Sequence, residues 1–165
     1  MEERLRSHYE SLARVIGWTR VADAKAAPIL ALHSALLGIS AARTEAIRTV
    51  FDDGSPLIGW LLAGLLAIFA VGVIAAFVSA ARVYMPQTTG GGGSLIYFGS
   101  VADMTADEFV AQAKQLDADK IEHGLLEQVH IVSLIGSRKM ARVRRAFIAS
   151  APALVAWVGV IAITA

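Results

Sequence analysis

The sequence contains no cysteine. That excludes a disulfide framework, a thiolate metal site and a cysteine nucleophile, while assigning no compartment. It also has almost no net charge: fifteen Lys and Arg against fourteen Asp and Glu leave +1. Bulk charge therefore points to no polyanionic partner. No Ser-His-Asp order, catalytic carboxylate pair or zinc motif stands out. No GK[ST] follows the glycine run Gly90-Gly-Gly-Gly93, and no strand–loop–helix context surrounds it. The run reads as a flexible linker rather than a phosphate-cradling loop. The sequence gives no positive sign of an enzyme, a resident cofactor or a bound metal.

What is missing most conspicuously is local charge. Residues 54–81, 28 in a row, carry none. A second uncharged run covers 146–165, and a third, shorter one covers 26–42. About 20 apolar residues suffice to cross a bilayer as a helix. Hydrophobic residues make up 56% of the chain, against roughly 45–50% in soluble domains. These runs predict an all-α membrane protein with about three transmembrane helices. Residues 1–25 are densely charged and hold no short apolar core before a cleavage site, so no cleavable signal peptide is expected.

The expected organisation has four parts. Residues 1–25 form an amphipathic helix, with Leu5, Tyr9, Leu12 and Ile16 at helical spacing. Residues 26–83 hold two transmembrane helices joined by a short polar connection over 43–56. The first of these is marginal in length and contains Pro28, a candidate kink. Residues 84–145 form a helical sensing segment after a breaker at 85–94. Within it, Thr105-Ala-Asp-Glu108 is a capping box, which places a helix start near Ala106. Asp117 caps a further helix that continues unbroken through 146–165, the final span. Lys and Arg number five in 1–25, two in 43–55 and eight in 82–145. The positive-inside rule then predicts a cytoplasmic N-terminus, a multi-pass topology and a cytoplasmic sensing segment.

Four constellations stand out. Arg138, Lys139, Arg142, Arg144 and Arg145 precede the last span. They read as an anchor facing anionic headgroups, one or two of which could also hold a phosphate. His123, Glu127 and His130 share a helix face. A single Glu-x-x-His element falls short of a di-metal bundle site, which needs two. A packed or hydrogen-bonded histidine is the simpler reading, and His130 could also read a nucleobase edge. Arg20, Asp23 and Lys25 read as an ion pair at the membrane interface, with a switch hinge or ligand contact as the alternative. His33 is an ionisable residue inside an apolar run. Such residues are functional candidates, although near a span's end one can simply reach the interface.

Taken in order, several segments carry a resemblance: Trp18-Thr-Arg-Val-Ala-Asp-Ala-Lys-Ala26 entering an apolar helix, Leu95-Ile-Tyr-Phe-Gly99, Thr105-Ala-Asp-Glu-Phe109, and His130-Ile-Val-Ser-Leu-Ile-Gly-Ser-Arg-Lys139 entering the last span. Over about residues 10–165 the chain resembles the membrane-spanning effector of bacterial Pycsar anti-phage systems. The resemblance implies a partner pyrimidine cyclase, activated on infection, that makes 3′,5′-cyclic CMP or cyclic UMP. The effector would bind that nucleotide and impair the inner membrane, ending in abortive infection. Matching positions are Arg20, Asp23, Lys25, Tyr97, Phe98, His130 and Lys139. Tyr97 and Phe98 suit stacking on a base, and Lys139 or Arg20 suits the phosphate. His130 and Lys139 are nine residues apart, which places them about 180° around a straight helix. Either Gly136 bends the helix or the pocket lies between subunits of a homo-oligomer, and the second is preferred. The competing readings are a ligand-independent, holin-like pore former and a small structural subunit of a membrane complex.

Overall fold

The computed structural model describes residues 2–86, 95 and 98–165, with Phe98 as backbone only. The described residues form six helices and no strand: α1 Glu2–Ala42, α2 Thr44–Asp53, α3 Pro56–Tyr84, α4 Phe98–Ala102, α5 Ala106–Ala113 and α6 Ala118–Ile163. Three of them, α1, α3 and α6, are long and apolar enough to cross a membrane. The protein is thus an all-α membrane protein, as the charge-free runs predict. Most of the breaker, including Gly90–Gly93, lies outside the described residues.

The buried and half-buried positions along α1 include one unbroken series spaced alternately by three and four residues. Leu5, His8, Leu12, Val15, Thr19, Ala22, Ala26, Ile29, His33, Leu36 and Ser40 are all half-buried or buried. A 3.5-residue period is the seam of helices that wrap around one another. It corrects the expected face of residues 1–25. Tyr9 is 55% exposed and Ile16 is 37% exposed, and the seats between Leu5, Leu12 and Thr19 go to His8 and Val15. Helix α1 runs unbroken through Pro28, which is exposed.

The connection expected over 43–56 is itself largely helical. In α2, Ala46, Ile47, Val50 and Phe51 fall on one side of the helical wheel. Thr44, Glu45, Arg48, Thr49, Asp52 and Asp53 take the other. The ion pair Arg48–Asp52, at 3.4 Å and i,i+4 spacing, runs along the polar side. The apolar side turns toward the start of α3, where a Cβ added at Gly59 would meet the Phe51 ring at an ordinary contact distance of 3.7 Å. Ser55 then caps α3 by accepting a hydrogen bond from the Ile58 amide at 3.4 Å, with Pro56 in the first turn.

The chain divides into two compact units. Unit 1 is Met1–Ala22 with Pro86–Met140, and unit 2 is Asp23–Met85 with Ala141–Ala165. In unit 2, Leu36 of α1, Phe69 and Val73 of α3, and Ala153 and Ala156 of α6 form one buried cluster. Helices α3 and α6 run antiparallel: Leu65 faces Gly159, Gly72 faces Ala149 and Ala153, and the Arg82 carbonyl accepts from Arg142 at 2.7 Å. Helices α1 and α6 run parallel, since Arg43 donates to the Thr164 carbonyl at 3.5 Å, beyond the Leu36–Ala153 level.

Helices α3 and α6 approach closely at Gly72. A Cβ added there would meet the Ala153 Cβ at 2.8 Å and the Ala149 carbonyl oxygen at 3.1 Å. Hydrocarbon gives helices no hydrophobic reason to associate, so small residues that permit such contact carry the packing. Gly72→Leu should therefore destabilise unit 2 by about 1–3 kcal/mol, the usual cost of overpacking. Gly64→Leu, where nothing lies within 4 Å, should be neutral. Equilibrium unfolding in mixed micelles measures both.

Candidate functional site

Unit 1 holds most of the positions that suit a soluble ligand. Its frame is the pairing of α1 with α6. Glu122 lies 3.1 Å from His8 Nε2 and 3.6 Å from an Arg4 guanidinium nitrogen. Further along, buried Gly136 faces Thr19, whose methyl would lie 3.5 Å from an added Cβ. Both helices advance in the same direction between these contacts, so they are parallel here. The histidine and carboxylate are about one-quarter and one-fifth exposed. They hold the helices together through a half-shielded pair rather than lying open to a ligand.

Helix α6 presents two faces. Leu125, Gln128, Gly136, Val143 and Ala146 are buried along one side, and Lys139 sits half-buried in the same stripe. His130 is exposed on the other side, with His123. The helix is unbroken through Gly136. His130 and Lys139 stay about 180° apart. Gln128 is 5% exposed, and its amide nitrogen has no hydrogen-bond partner. Glu127 is half-buried, and among the described residues no group of three His, Asp or Glu side chains converges on a metal position.

Among the remaining candidates, Arg20 is exposed on α1 in unit 1. Asp23 and Lys25 belong to unit 2, half-buried and exposed respectively. The Asp23 carbonyl accepts a hydrogen bond from the Tyr84 hydroxyl at 2.7 Å, which ties α1 to the end of α3. Tyr97 and the Phe98 side chain lie outside the described residues. In the basic cluster, Arg138, Arg142 and Arg145 follow i, i+4, i+7 spacing on one side of α6, and Arg144 points away from them.

Sequence reasoning missed His8, Glu122 and Gln128. The signal for His8 was present: counting three then four residues from Leu5 gives 8, 12, 15 and 19. Glu122 and Gln128 carried none, because a polar residue on an amphipathic helix is read as solvent-facing until its partner helix is known.

The expected capping box opens α5. The Thr105 hydroxyl accepts from the Glu108 amide at 3.3 Å, and the Thr105 amide donates to the Glu108 carboxylate at 2.8 Å. The amide bond first, and the Thr105 hydroxyl second, hold the Glu108 carboxyl below its ordinary value. A depressed carboxyl stabilises the fold above its unfolded-state value and stops doing so as pH falls through its folded-state value. Amide exchange at Ala106–Glu108 should thus speed up on acidification, relative to the intrinsic rate. Glu108→Gln should show the faster opening already at neutral pH and lose this pH dependence.

A family model described as the Pycsar effector protein domain matches residues 8–165, nearly the whole chain. No curated protein and no solved structure matches it.

Proposed function

The chain belongs to the Pycsar effector family, and so to anti-phage defence, and from that premise we propose that it senses a cyclic pyrimidine mononucleotide and impairs the membrane that holds it. The messenger is 3′,5′-cyclic CMP or cyclic UMP, supplied by a partner cyclase. The membrane is the bacterial inner membrane, with the N-terminus and unit 1 cytoplasmic. The chain acts by binding, not by catalysis, and its outcome is abortive infection.

One observation carries this reading. Helices α1 and α6 each join a charged half, suited to water, to an apolar half of membrane-spanning length, without a break. A ligand shifts an equilibrium only by its differential affinity for two states. A nucleotide that rearranges the charged halves therefore acts on the apolar halves through continuous backbone.

A cyclic nucleotide carries one phosphate charge and one base. Lys139 and Arg20 are the cations assigned to the phosphate, and Tyr97 and Phe98 the stacking surface. His130 is assigned to the base edge, with Asp23 and Lys25 as further contacts. The opposite faces of His130 and Lys139 on an unbroken α6 support a pocket shared between subunits, and hence a homo-oligomer. The cluster Arg138, Arg142, Arg144 and Arg145 holds anionic headgroups at the entry of the last span.

Titration calorimetry on detergent-purified protein, with cyclic CMP, cyclic UMP, cyclic AMP and cyclic GMP, tests the sensor. Saturable binding of one pyrimidine and neither purine is expected. His130→Ala and Lys139→Ala should insert normally, weaken that binding at least tenfold and abolish toxicity beside an active cyclase. Killing on expression without any cyclase would instead mark a constitutive pore former. Harmless co-purification with a larger complex would mark a structural subunit.

A further inference from the structure

His33 is fully buried in the middle of unit 2, and the sensing reading gives it no role. Its Nδ1 lies 2.8 Å from the Ile29 carbonyl oxygen. A carbonyl only accepts, so Nδ1 donates this bond and Nε2 is the ring's remaining polar atom. That Nε2 is buried and has no partner. His33 lies ten residues beyond Asp23, about 15 Å along the helix. It is the only ionisable side chain in the three charge-free runs.

The neighbouring helix continues the pattern. Leu36 and Ala153 share one packed cluster on parallel helices. Three residues before each stand His33 and Ser150, both buried. Seven residues beyond those stand Ser40 and Trp157, both half-buried, and the Trp157 indole nitrogen is shielded without a partner. At the far end Arg43 donates directly to Thr164. Polar groups thus recur at three levels of one α1–α6 seam, about 10 Å apart between the first two. His33 and Ser150 are buried, and Ser40 and Trp157 half-buried, against the rest of the unit. On the other side of His33 the seam continues with Ala26 of α1 and with Val143 and Ala146 of α6, all buried.

We propose that the α1–α6 seam is the ion-conducting path of the activated protein, with His33 as its innermost polar station and the Ala26–Val143–Ala146 layer as its gate. This rests on the nucleotide-triggered reading above and names how the membrane is impaired: by a narrow, protein-lined path for small hydrated ions, not by general disruption. In the resting state the polar atoms of His33, Ser150, Ser40 and Trp157 pair within their own helix or remain unpaired. When the gate layer parts, water and ions pair with the Nε2 of His33 and with the hydroxyls of Ser150 and Ser40. The seam then supplies the partners that hydrocarbon withholds.

The test uses the full chain in proteoliposomes loaded with potassium and calcein. Cyclic CMP and cyclic UMP are the probes. One of them should release potassium while calcein stays inside. His33→Phe should cut that flux at least tenfold with nucleotide binding unchanged. His33→Gln should keep at least half of it, and Leu37→Phe, on the exposed face, should keep all of it. Calcein released alongside potassium, or full flux through His33→Phe, overturns the proposal. Should His33→Phe also lose nucleotide binding, Ser150→Val decides by the same criterion. Binding without any potassium flux refutes the path and leaves the sensor standing. If no pyrimidine nucleotide binds, the sensing reading fails instead. The seam is then judged on the basal potassium leak at high protein density, which His33→Phe should cut tenfold and which an equal leak would refute.

Discussion

The membrane-spanning part of this protein depends on backbone approach. In water, apolar helices associate because burial removes hydrocarbon surface from solvent. In lipid that drive is absent, since an acyl chain is as apolar as a leucine. What remains is van der Waals contact, which falls off within an ångström, with a few interhelical hydrogen bonds beside it. The chain meets this constraint with small residues where α3 crosses α6. Gly72 lies so close to Ala149 and Ala153 that a methyl group would not fit. Ala76, Ala80, Ala146, Ala153 and Ala156 are buried along the same two helices. Large apolar side chains such as Leu57, Trp60, Val71, Phe147 and Val155 point outward and are heavily exposed. The crossing itself inverts the pattern of a soluble core, with small residues at the contact, while Leu36, Phe69 and Val73 complete the buried cluster.

The same constraint makes the seam polar groups unusual. A bundle held by close contact gains little by including a histidine whose ring nitrogen finds no partner. An unpaired buried polar group costs about 1–3 kcal/mol. A leucine at residue 33 would fit the alternation of α1 and avoid that cost. A group that weakens the resting state without bracing it is what a protein meant to leave that state would carry.

Much of the fold was legible in the sequence, and the reasons are specific. The charge-free runs at 54–81 and 146–165 fixed the class because hydrocarbon tolerates few charges. Thr105-Ala-Asp-Glu108 placed α5, and Asp117 placed the start of α6, because caps are local chemistry: the Lys120 amide donates to the Asp117 carboxylate at 2.8 Å. The amphipathic helix α2 was missed because Asp52, Asp53, Gly54 and Ser55 dominate a short window and hide the apolar arc before them. The face of the first helix was displaced because Leu5 and Leu12 fit two alternations, and only the partner helix chooses between them. The candidate site was least legible. Its candidate residues lie in separated segments, and nothing in one helix tells whether Gln128 or His130 faces the neighbour.

The length of α1 and α6 links these points. A two-state protein that moves from 1:99 to 99:1 needs a ligand that favours one state by about 5.5 kcal/mol. A mononucleotide with one phosphate charge offers few contacts from which to draw that difference. The requirement shrinks if the resting bundle is already poised near its transition. Two unpaired atoms at His33 and Trp157, each relieved on opening, would lower the gap by an amount comparable with the nucleotide's own contribution. On the proposed reading, unit 1 and the polar seam are therefore two halves of one energetic device. The seam keeps the closed state shallow, and helices unbroken from the charged segments into the spans let a small ligand tip it. A tighter, wholly apolar bundle would be more stable and would leave a cyclic nucleotide too weak to open it.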